Sequence, residues 1–250
     1  MSELLELDSL DILAIIDNEL DPISQSPNAA VIQTGGLREV STRSKLPPDD
    51  PRGPNVNEAR MDNVCCSAHG LSLLITGTAY GERRTVLFDT GLEESAWERN
   101  VSRLRADIAP IETIHLSHWH RDHSGGMRQA LKMIYAARKA NDDRRPPVQV
   151  DLHPARPDYR GVQPPEQPVT SLEADPTFKE IELSGGAVTK LSQPHAILNG
   201  MFLTSGEIPR VTDYEHGLKF GVRFNTSDGK WEPDEKMADE RLVMCKLKGM

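Results

Sequence analysis

The stretch HLSHWHRDHSGG, from His115 to Gly126, constrains the fold of this chain more than any other feature. It holds four histidines and one aspartate within nine residues, and the apolar, β-rich run IETI precedes it. A pair of glycines and the amphipathic run MRQALKMIYAARKAN follow it. A strand that ends in a polar loop and continues as a helix is typical of α/β sheets, which place functional residues at the carboxyl ends of their strands. The stretch therefore predicts a strand, a functional loop and a helix in that order.

The residue types in this loop predict metal binding. Imidazole nitrogens and carboxylate oxygens are ligands for Zn²⁺, Mn²⁺ and Fe. The spacing predicts that His118 and His120 point toward one ion, while Asp122 and His123 face a neighbouring position, so that the loop holds one or two ions. The glycine pair is expected to let the backbone turn tightly before the helix. A histidine-rich loop of this pattern arises by accident in roughly one such sequence in 1,600, so metal binding is the stronger interpretation.

Apolar runs elsewhere in the chain predict further strands and one more helix. The helix is expected in LEESAWERNVSRLRAD, where Trp97, Val101 and Leu104 share one face. Strands are expected in LDILAII, HGLSLLITGT, RRTVLFDTG and VQVDLH, and in the later β-like runs FKEIELS, AVTKLS, GMFLTSGEI, LKFGVRF and RLVMCKLKG. Strands and helices therefore alternate early in the chain, and strands dominate later, as in an α/β fold.

Residues 1–250 are expected to form a single domain, because this length suits one sizeable α/β core. The segment from about 21 to 63 is rich in Pro, Ser, Asn and Gly, for example in KLPPDDPRGPN. Such a composition predicts a long irregular loop, either a lid over a site or a surface insertion, of which the insertion is the simpler interpretation.

Charge and composition exclude several classes of function. A net charge of −9 and an isoelectric point near 5.4 argue against a nucleic-acid surface. Acidic residues in MSELLELDSLDILAII argue against a signal peptide, and no apolar run has the length of a membrane span. The three cysteines have no zinc-ribbon or disulfide spacing. We therefore expect a cytoplasmic protein that acts on a small molecule, and an anionic substrate is compatible with a bound dication.

The motif FDTG, from Phe88 to Gly91, followed by HLSHWHRDHSGG, resembles the metallo-β-lactamase superfamily, whose signature is H-x-H-x-D-H after a strand ending in D-[TAS]-G. More narrowly, HGLSLLI, LFDTG, LSHWHRDHSGGM, GEIPR followed by YEHG, and DER resemble its dihydropterin synthase-like branch. The resemblance runs from about Ile12 to the last residue, interrupted by the long loop. It implies an αββα sandwich with metals between the sheet edges. It also implies a metal-dependent hydrolase or a dihydropterin-synthase-like transferase, acting on a small and in this branch phosphate-bearing substrate.

The same resemblance implies roles for individual residues. His118 and His120 would bind the first ion, and Asp122 and His123 the second, with zinc as the expected metal and manganese or iron as alternatives. Asp122 would also be the catalytic residue that handles a proton of the attacking water. Asp89 would be a supporting carboxylate that orients a ligand histidine, as such sites require.

The remaining histidines are weaker candidates. His153 follows VQVDL and precedes a proline, so we keep it as a weak candidate for a ligand in the cleft. His69, at the head of HGLSLLI, matches a motif of the branch, and hydrogen bonding at a strand start is its simpler role. His115 is expected to be packed or hydrogen-bonded within its strand, and His195 and His216 are expected at the surface.

The second half of the family fold normally supplies a third histidine for the first metal, a bridging aspartate and a last histidine for the second. In this branch the third histidine follows a strand of the kind seen in RLVMCKLKGM, so the sequence predicts an incomplete second half. Catalytic zinc usually has three protein ligands. Three interpretations stay open: an enzyme whose site is completed within the chain or by a homodimer partner, a catalytically impaired truncated form, and a structural metal site, for which no cysteine set is visible.

Overall fold

The computed structural model of the chain describes residues 4–24, 26–43, 45–53 and 56–249. The helices of these residues are α1 (Leu37–Arg43), α2 (Glu94–Leu104), α3 (Arg121–Ser124), α4 (Met127–Ala140) and α5 (Phe178–Leu183), with 3₁₀ turns at Met61–Asn63 and Leu198–Gly200. The strands are β1 (Glu6–Leu7), β2 (Ser9–Ile16), β3 (Ser72–Ala79), β4 (Glu82–Phe88), β5 (Ile111–His115), β6 (Gln149–Leu152), β7 (Tyr159–Val162), β8 (Thr170–Ser171), β9 (Ala187–Lys190), β10 (His195–Ile197), β11 (Phe202–Thr204), β12 (Gly221–Asn225), β13 (Lys230–Pro233), β14 (Val243–Met244) and β15 (Lys246–Leu247).

A six-stranded sheet in the order β2-β3-β4-β5-β6-β9 is the centre of the fold. β2, β3 and β4 are antiparallel neighbours, whereas β4, β5, β6 and β9 run parallel. Phe88, His115 and Asp151 lie side by side in register on β4, β5 and β6. The carboxyl ends of these three strands therefore meet at one edge, where parallel sheets place their ligands.

One face of this sheet is covered by α2 and α4. Trp97 and Val101 of α2, and Leu131 and Ile134 of α4, are buried against the sheet in one apolar cluster. Burying such a side chain contributes about 1.5–3 kcal/mol each. The helical face predicted from the spacing of Trp97 and Val101 is confirmed.

The opposite face of the sheet packs against a second, smaller layer. Leu7, Val86 and Phe202 form a separate apolar cluster there, and Phe202 belongs to the three-stranded sheet β10-β11-β14. A four-stranded sheet has the order β13-β12-β7-β8. It contacts the histidine loop, because Arg160 of β7 donates a hydrogen bond to the Trp119 carbonyl. Helices on one face and strands on the other confirm the predicted α/β class.

The run FKEIELS was predicted to be a strand, and this prediction is wrong, because it forms α5. The Thr177 hydroxyl accepts a hydrogen bond from the Glu180 backbone N–H at 3.2 Å, and the Glu180 carboxylate accepts one from the Thr177 N–H at 2.8 Å. This reciprocal pair of hydrogen bonds is a capping box, which stabilises the start of a helix. It outweighs the preference of the β-like residues for a strand. The helix buries Ile181 in the main core.

The segment 21–63 contains α1 and the 3₁₀ turn at Met61–Asn63, and Val40 of α1 is fully buried. An isolated bridge joins Lys45 to Asn57. Within the part of the chain that the structure describes, no helix is long and apolar enough to cross a bilayer.

A buried carboxylate, that of Asp151, joins the end of β6 to the last part of the chain. It lies 2.8 Å from His115 Nδ1 and 3.1 Å from Arg241 Nη1, and the side chain of Arg241 is fully buried. Arg241 also donates to the carbonyls of Leu116 and Asp151, each at 2.8 Å. Burial alone would raise the pKa of Asp151, but the hydrogen bond from His115 and the charge of Arg241 outweigh burial and lower it to about 2.

We expect Asp151→Asn to lower the free energy of unfolding by about 3 kcal/mol at pH 7, because it leaves the Arg241 charge buried without its partner. A carboxylate with a lowered pKa stabilises the fold above pH 4, and this contribution is lost as the pH falls toward about 2. As the pH falls between those two values, the free energy of unfolding of the variant is therefore expected to decrease less than that of the parent. Urea unfolding at several pH values measures both effects, with the exposed Asp142→Asn as the control. Parallel pH profiles of parent and Asp151→Asn would contradict this.

Candidate metal centre

The predicted metal ligands lie in the loop that follows β5, beside the end of β4. Asp89 comes directly after β4 and adopts a positive φ of 57°. Its backbone N–H donates to the His115 carbonyl at 2.9 Å, and the Thr90 N–H donates to the His123 carbonyl at 2.7 Å. These two bonds bring the start of the FDTG loop and the histidine loop together at the edge of the sheet.

The buried carboxylate of Asp89 organises this loop. It accepts hydrogen bonds from the Ser117 N–H, the Ser117 hydroxyl and His123 Nδ1, each at 2.7 Å. Because the Ser117 hydroxyl donates to Asp89, its oxygen is free to accept the proton of His118 Nδ1, 2.9 Å away. With the Nδ1 atoms of His118 and His123 acting as donors, Nε2 is the atom through which each ring would bind an ion.

The four predicted ligands form two donor pairs. His118 Nε2 and His120 Nδ1 are 2.9 Å apart, and Asp122 Oδ2 and His123 Nε2 are 3.3 Å apart. Zinc–ligand bonds are about 2.0–2.1 Å long. Two ligand atoms on one zinc ion therefore lie about 2.9–3.4 Å apart when the ligand–zinc–ligand angle is between a right angle and the tetrahedral angle. The rings of His118 and His123 have centroids 4.4 Å apart, so the two pairs are neighbours. The donor spacing fits one ion at each pair.

The protonation states of the first pair also fit ligation. Burial, together with the neighbouring histidines, lowers the pKa of His118 to about 3, and burial with the nearby charge of Arg160 lowers that of His120 to about 4. Both imidazoles are therefore neutral at pH 7, which is the form that binds metal.

The second pair carries opposite charges. Burial opposes protonation of His123, but its hydrogen bonds to Asp122 and Asp89 outweigh burial and raise its pKa to about 9. Burial likewise acts against ionisation of Asp122, and the hydrogen bond from His123 overcomes it and lowers the Asp122 pKa to about 2. An ion at this pair would replace the His123 proton as the partner of Asp122.

A clamp of Arg160 and Asp239 holds the backbone between the two histidines of the first pair. The Trp119 N–H donates to Asp239 Oδ2 at 2.7 Å, and Arg160 Nη1 donates to the Trp119 carbonyl at 2.8 Å. Arg160 and Asp239 are themselves paired, and both are buried. The sequence did not single out either residue as functional, although Asp239 is the first residue of the DER motif.

The glycine pair after the loop serves a different purpose from the predicted one. The backbone of Gly125 is helical, with φ −63° and ψ −33°, so it does not require glycine for a tight turn. A Cβ at Gly125 would instead lie 1.8 Å from the Leu92 carbonyl oxygen, and its N–H donates to the Gly91 carbonyl at 2.8 Å. Glycine is needed because the FDTG loop approaches so closely.

The other histidines have distinct surroundings. His115 is fully buried and bonded to Asp151, which confirms that it is a packed, hydrogen-bonded residue. His153 Nδ1 accepts from the Ala155 N–H at 3.2 Å, and its Nε2 lies 3.1 Å from Glu207. Both ring nitrogens of His153 thus have protein partners outside the two donor pairs.

Comparisons with known proteins point to one superfamily. The model of the metallo-β-lactamase superfamily matches residues 69–195. The 7,8-dihydropterin-6-methyl-4-(β-D-ribofuranosyl)-aminobenzene-5′-phosphate synthase of Methanocaldococcus jannaschii is 30% identical over 142 residues, which cover 57% of this chain and 45% of that protein. The match therefore spans less than half the length of this relative.

One solved structure supports the fold. The crystal structure of a metal-dependent hydrolase of the β-lactamase superfamily aligns with 96% of this chain and 62% of its own, at a TM-score of 0.53 and 16% sequence identity. At this identity the likeness concerns the fold alone.

Proposed function

The chain belongs to the metallo-β-lactamase superfamily, and from this membership and its histidine loop we propose that it is a metal-dependent hydrolase with a dinuclear His/Asp centre. The observation that carries the proposal is the pair of adjacent donor sets at one sheet edge. Divalent ions bound there would polarise an oxygen of the substrate and promote ionisation of a water molecule.

We assign the residues the roles that the family resemblance implies, which their contacts support. His118 and His120 would hold the first ion, and Asp122 and His123 the second. A mixed nitrogen and oxygen donor set suits zinc, and also manganese and iron. The Asp122 carboxylate is partly exposed, and we assign it the additional role of accepting a proton from the attacking water.

A dihydropterin-synthase-like transferase is the second candidate. The specific observation in its favour is the match to the Methanocaldococcus jannaschii synthase, which is named for a compound that carries a 5′-phosphate. A small phosphate-bearing substrate fits this candidate, and the net charge of −9 favours neither nucleic acid nor an anionic membrane surface as a partner. We further propose a cytoplasmic enzyme that works alone or as a homodimer.

Metal removal and restoration test the proposal. The zinc- or manganese-loaded chain is assayed against a phosphodiester, a thioester, a lactone and a β-lactam, since the fold serves many ester-like and amide-like substrates. We expect turnover of at least one class, its loss after chelation, and its recovery when the metal is returned. A chain that binds its full complement of metal and turns over none of these classes would contradict the hydrolase proposal and favour the transferase.

Asp89→Asn is expected to weaken metal binding by about 10- to 100-fold, as changes to residues that orient metal ligands do. The amide nitrogen of asparagine cannot accept the protons of Ser117 and His123 that the carboxylate accepts. Competition with a chromophoric chelator measures the change, with the exposed Asp228→Asn as the matched control. Equal affinity in Asp89→Asn and the parent would show that this carboxylate does not orient a ligand.

A further inference from the structure

Each of the two donor pairs supplies two protein ligands, whereas catalytic zinc usually has three. As the side chains stand, no group of three or more His, Cys, Asp or Glu residues converges on one metal position among the residues that the structure describes. One more histidine nevertheless lies beside the second pair, and it comes from a distant part of the sequence.

This histidine is His69, which precedes β3. Its Nε2 atom lies 3.3 Å from Asp122 Oδ2, the same distance that separates Asp122 Oδ2 from His123 Nε2. Two imidazoles therefore flank one carboxylate oxygen, each at a separation suited to two ligands of one ion, about 2.9–3.4 Å. Since Asp122 and His123 are already the predicted ligands, His69 is the side chain best placed to join them.

The orientation of the His69 ring favours ligation. Its Nδ1 atom is 3.0 Å from Asn18 Oδ1, and the amide oxygen can only accept, so Nδ1 carries the proton. Nε2 is then the nitrogen that faces Asp122 Oδ2, and it is the atom through which the ring would bind an ion. Metal-binding histidines commonly donate their second nitrogen to an oxygen acceptor, which fixes the tautomer and the ring orientation.

The backbone next to His69 packs closely against the backbone of Asp122. Gly70 has φ +101°, and a Cβ at this position would lie 1.9 Å from the Asp122 carbonyl oxygen. The Gly70 N–H also points at Asn18 Oδ1, 3.3 Å away. The close approach of these backbones holds His69 beside Asp122, and it requires glycine at this position.

The side chain of His69 can complete the site without disturbing the core. It is 76% exposed, so rotation about its own bonds brings Nε2 toward an ion at Asp122 and His123 while the backbone stays in place.

We propose that His69 is the third protein ligand of the second metal position, where it forms a His-Asp-His set with Asp122 and His123 for zinc or a similar divalent ion. The inference rests on the proposed dinuclear centre. It assigns the missing ligand of that position to the segment before β3, in place of the simpler hydrogen-bonding role that the sequence favoured for His69.

Zinc titration of the full chain tests the proposal, with zinc as the probe and the stoichiometry and affinity of each site as the readout. We expect His69→Ala to weaken one of two sites by at least about 100-fold, more than the 10- to 100-fold typical of supporting residues. His216→Ala, in an exposed loop, is the matched control and should match the parent. Asn18→Ala should weaken the same site by about 10-fold, and Asn18→Asp, which keeps an acceptor, should restore it.

A second readout uses the unaltered chain. Zinc should shift the ¹⁵N resonance of His69 Nε2 into the range of a metal-bound imidazole and leave the resonances of His216 unchanged. Two zinc ions bound with equal affinity in the parent and in His69→Ala, with no shift at His69, would overturn the inference and leave the dinuclear centre standing. A parent chain that binds no zinc would overturn both.

Discussion

His118→Ala and His120→Ala are each expected to lower the zinc affinity of the first metal position by at least about 100-fold and to abolish metal-dependent turnover. Each substitution removes one of only two protein donors of that pair, whose nitrogens face each other at 2.9 Å. The loss should exceed the 10- to 100-fold caused by changes to supporting groups. Zinc content after desalting and the turnover rate of the loaded chain measure the two effects.

Two controls make this prediction specific. His216→Ala removes an exposed histidine from a loop and should leave zinc content and turnover unchanged. Asp122→Ala should lower the occupancy of the second position and turnover together, because its carboxylate is a donor of that pair. Full activity in all three loop variants, at His118, His120 and Asp122, would show that the histidine loop is not the catalytic metal site.

Arg160→Ala is expected to produce the largest loss of stability, about 3–5 kcal/mol in the free energy of unfolding. Arg160 is 5% exposed, and its removal leaves the Asp239 charge buried and unpaired. The Trp119 carbonyl would lose its donor as well, so the backbone between His118 and His120 would be less firmly held. Zinc affinity at the first position should therefore fall along with stability.

Urea unfolding of the purified variant measures the first effect, and zinc titration of the folded fraction measures the second. Arg223→Ala is the matched control, because Arg223 lies on the neighbouring strand β12 in a partly exposed ion pair with Glu232. Such a pair contributes about 0–1 kcal/mol. If Arg160→Ala unfolds at the same urea concentration as Arg223→Ala, the clamp does not stabilise the histidine loop.

The histidine loop and its neighbours are predictable from sequence because their signals are local. The donor spacing in HWHRDH, the apolar run before it and the helical period after it all lie within about thirty residues. The predicted strand β5 and helix α4 are found where the sequence places them. FKEIELS is the counterexample, because its apolar spacing fits either a strand or a helix. The capping box of Thr177 and Glu180 favours the helix.

The supporting parts of the site depend on contacts between distant residues. Arg160 and Asp239 are 79 positions apart and reach the loop from β7 and from the segment before β14. Nothing in the local spacing of residues around Arg160 pairs it with Trp119. Asn18, Gly70 and Asp122 likewise come together only because β2 and β3 are antiparallel neighbours and the loop folds over their ends.

A dinuclear metal centre in this loop would give the purified chain a defined metal content. Elemental mass spectrometry across the gel-filtration peak measures that metal stoichiometry directly. We expect about two zinc, manganese or iron ions per chain, eluting with the folded protein. A folded chain that elutes in a sharp peak and carries essentially no metal, even after dialysis against zinc, would contradict it.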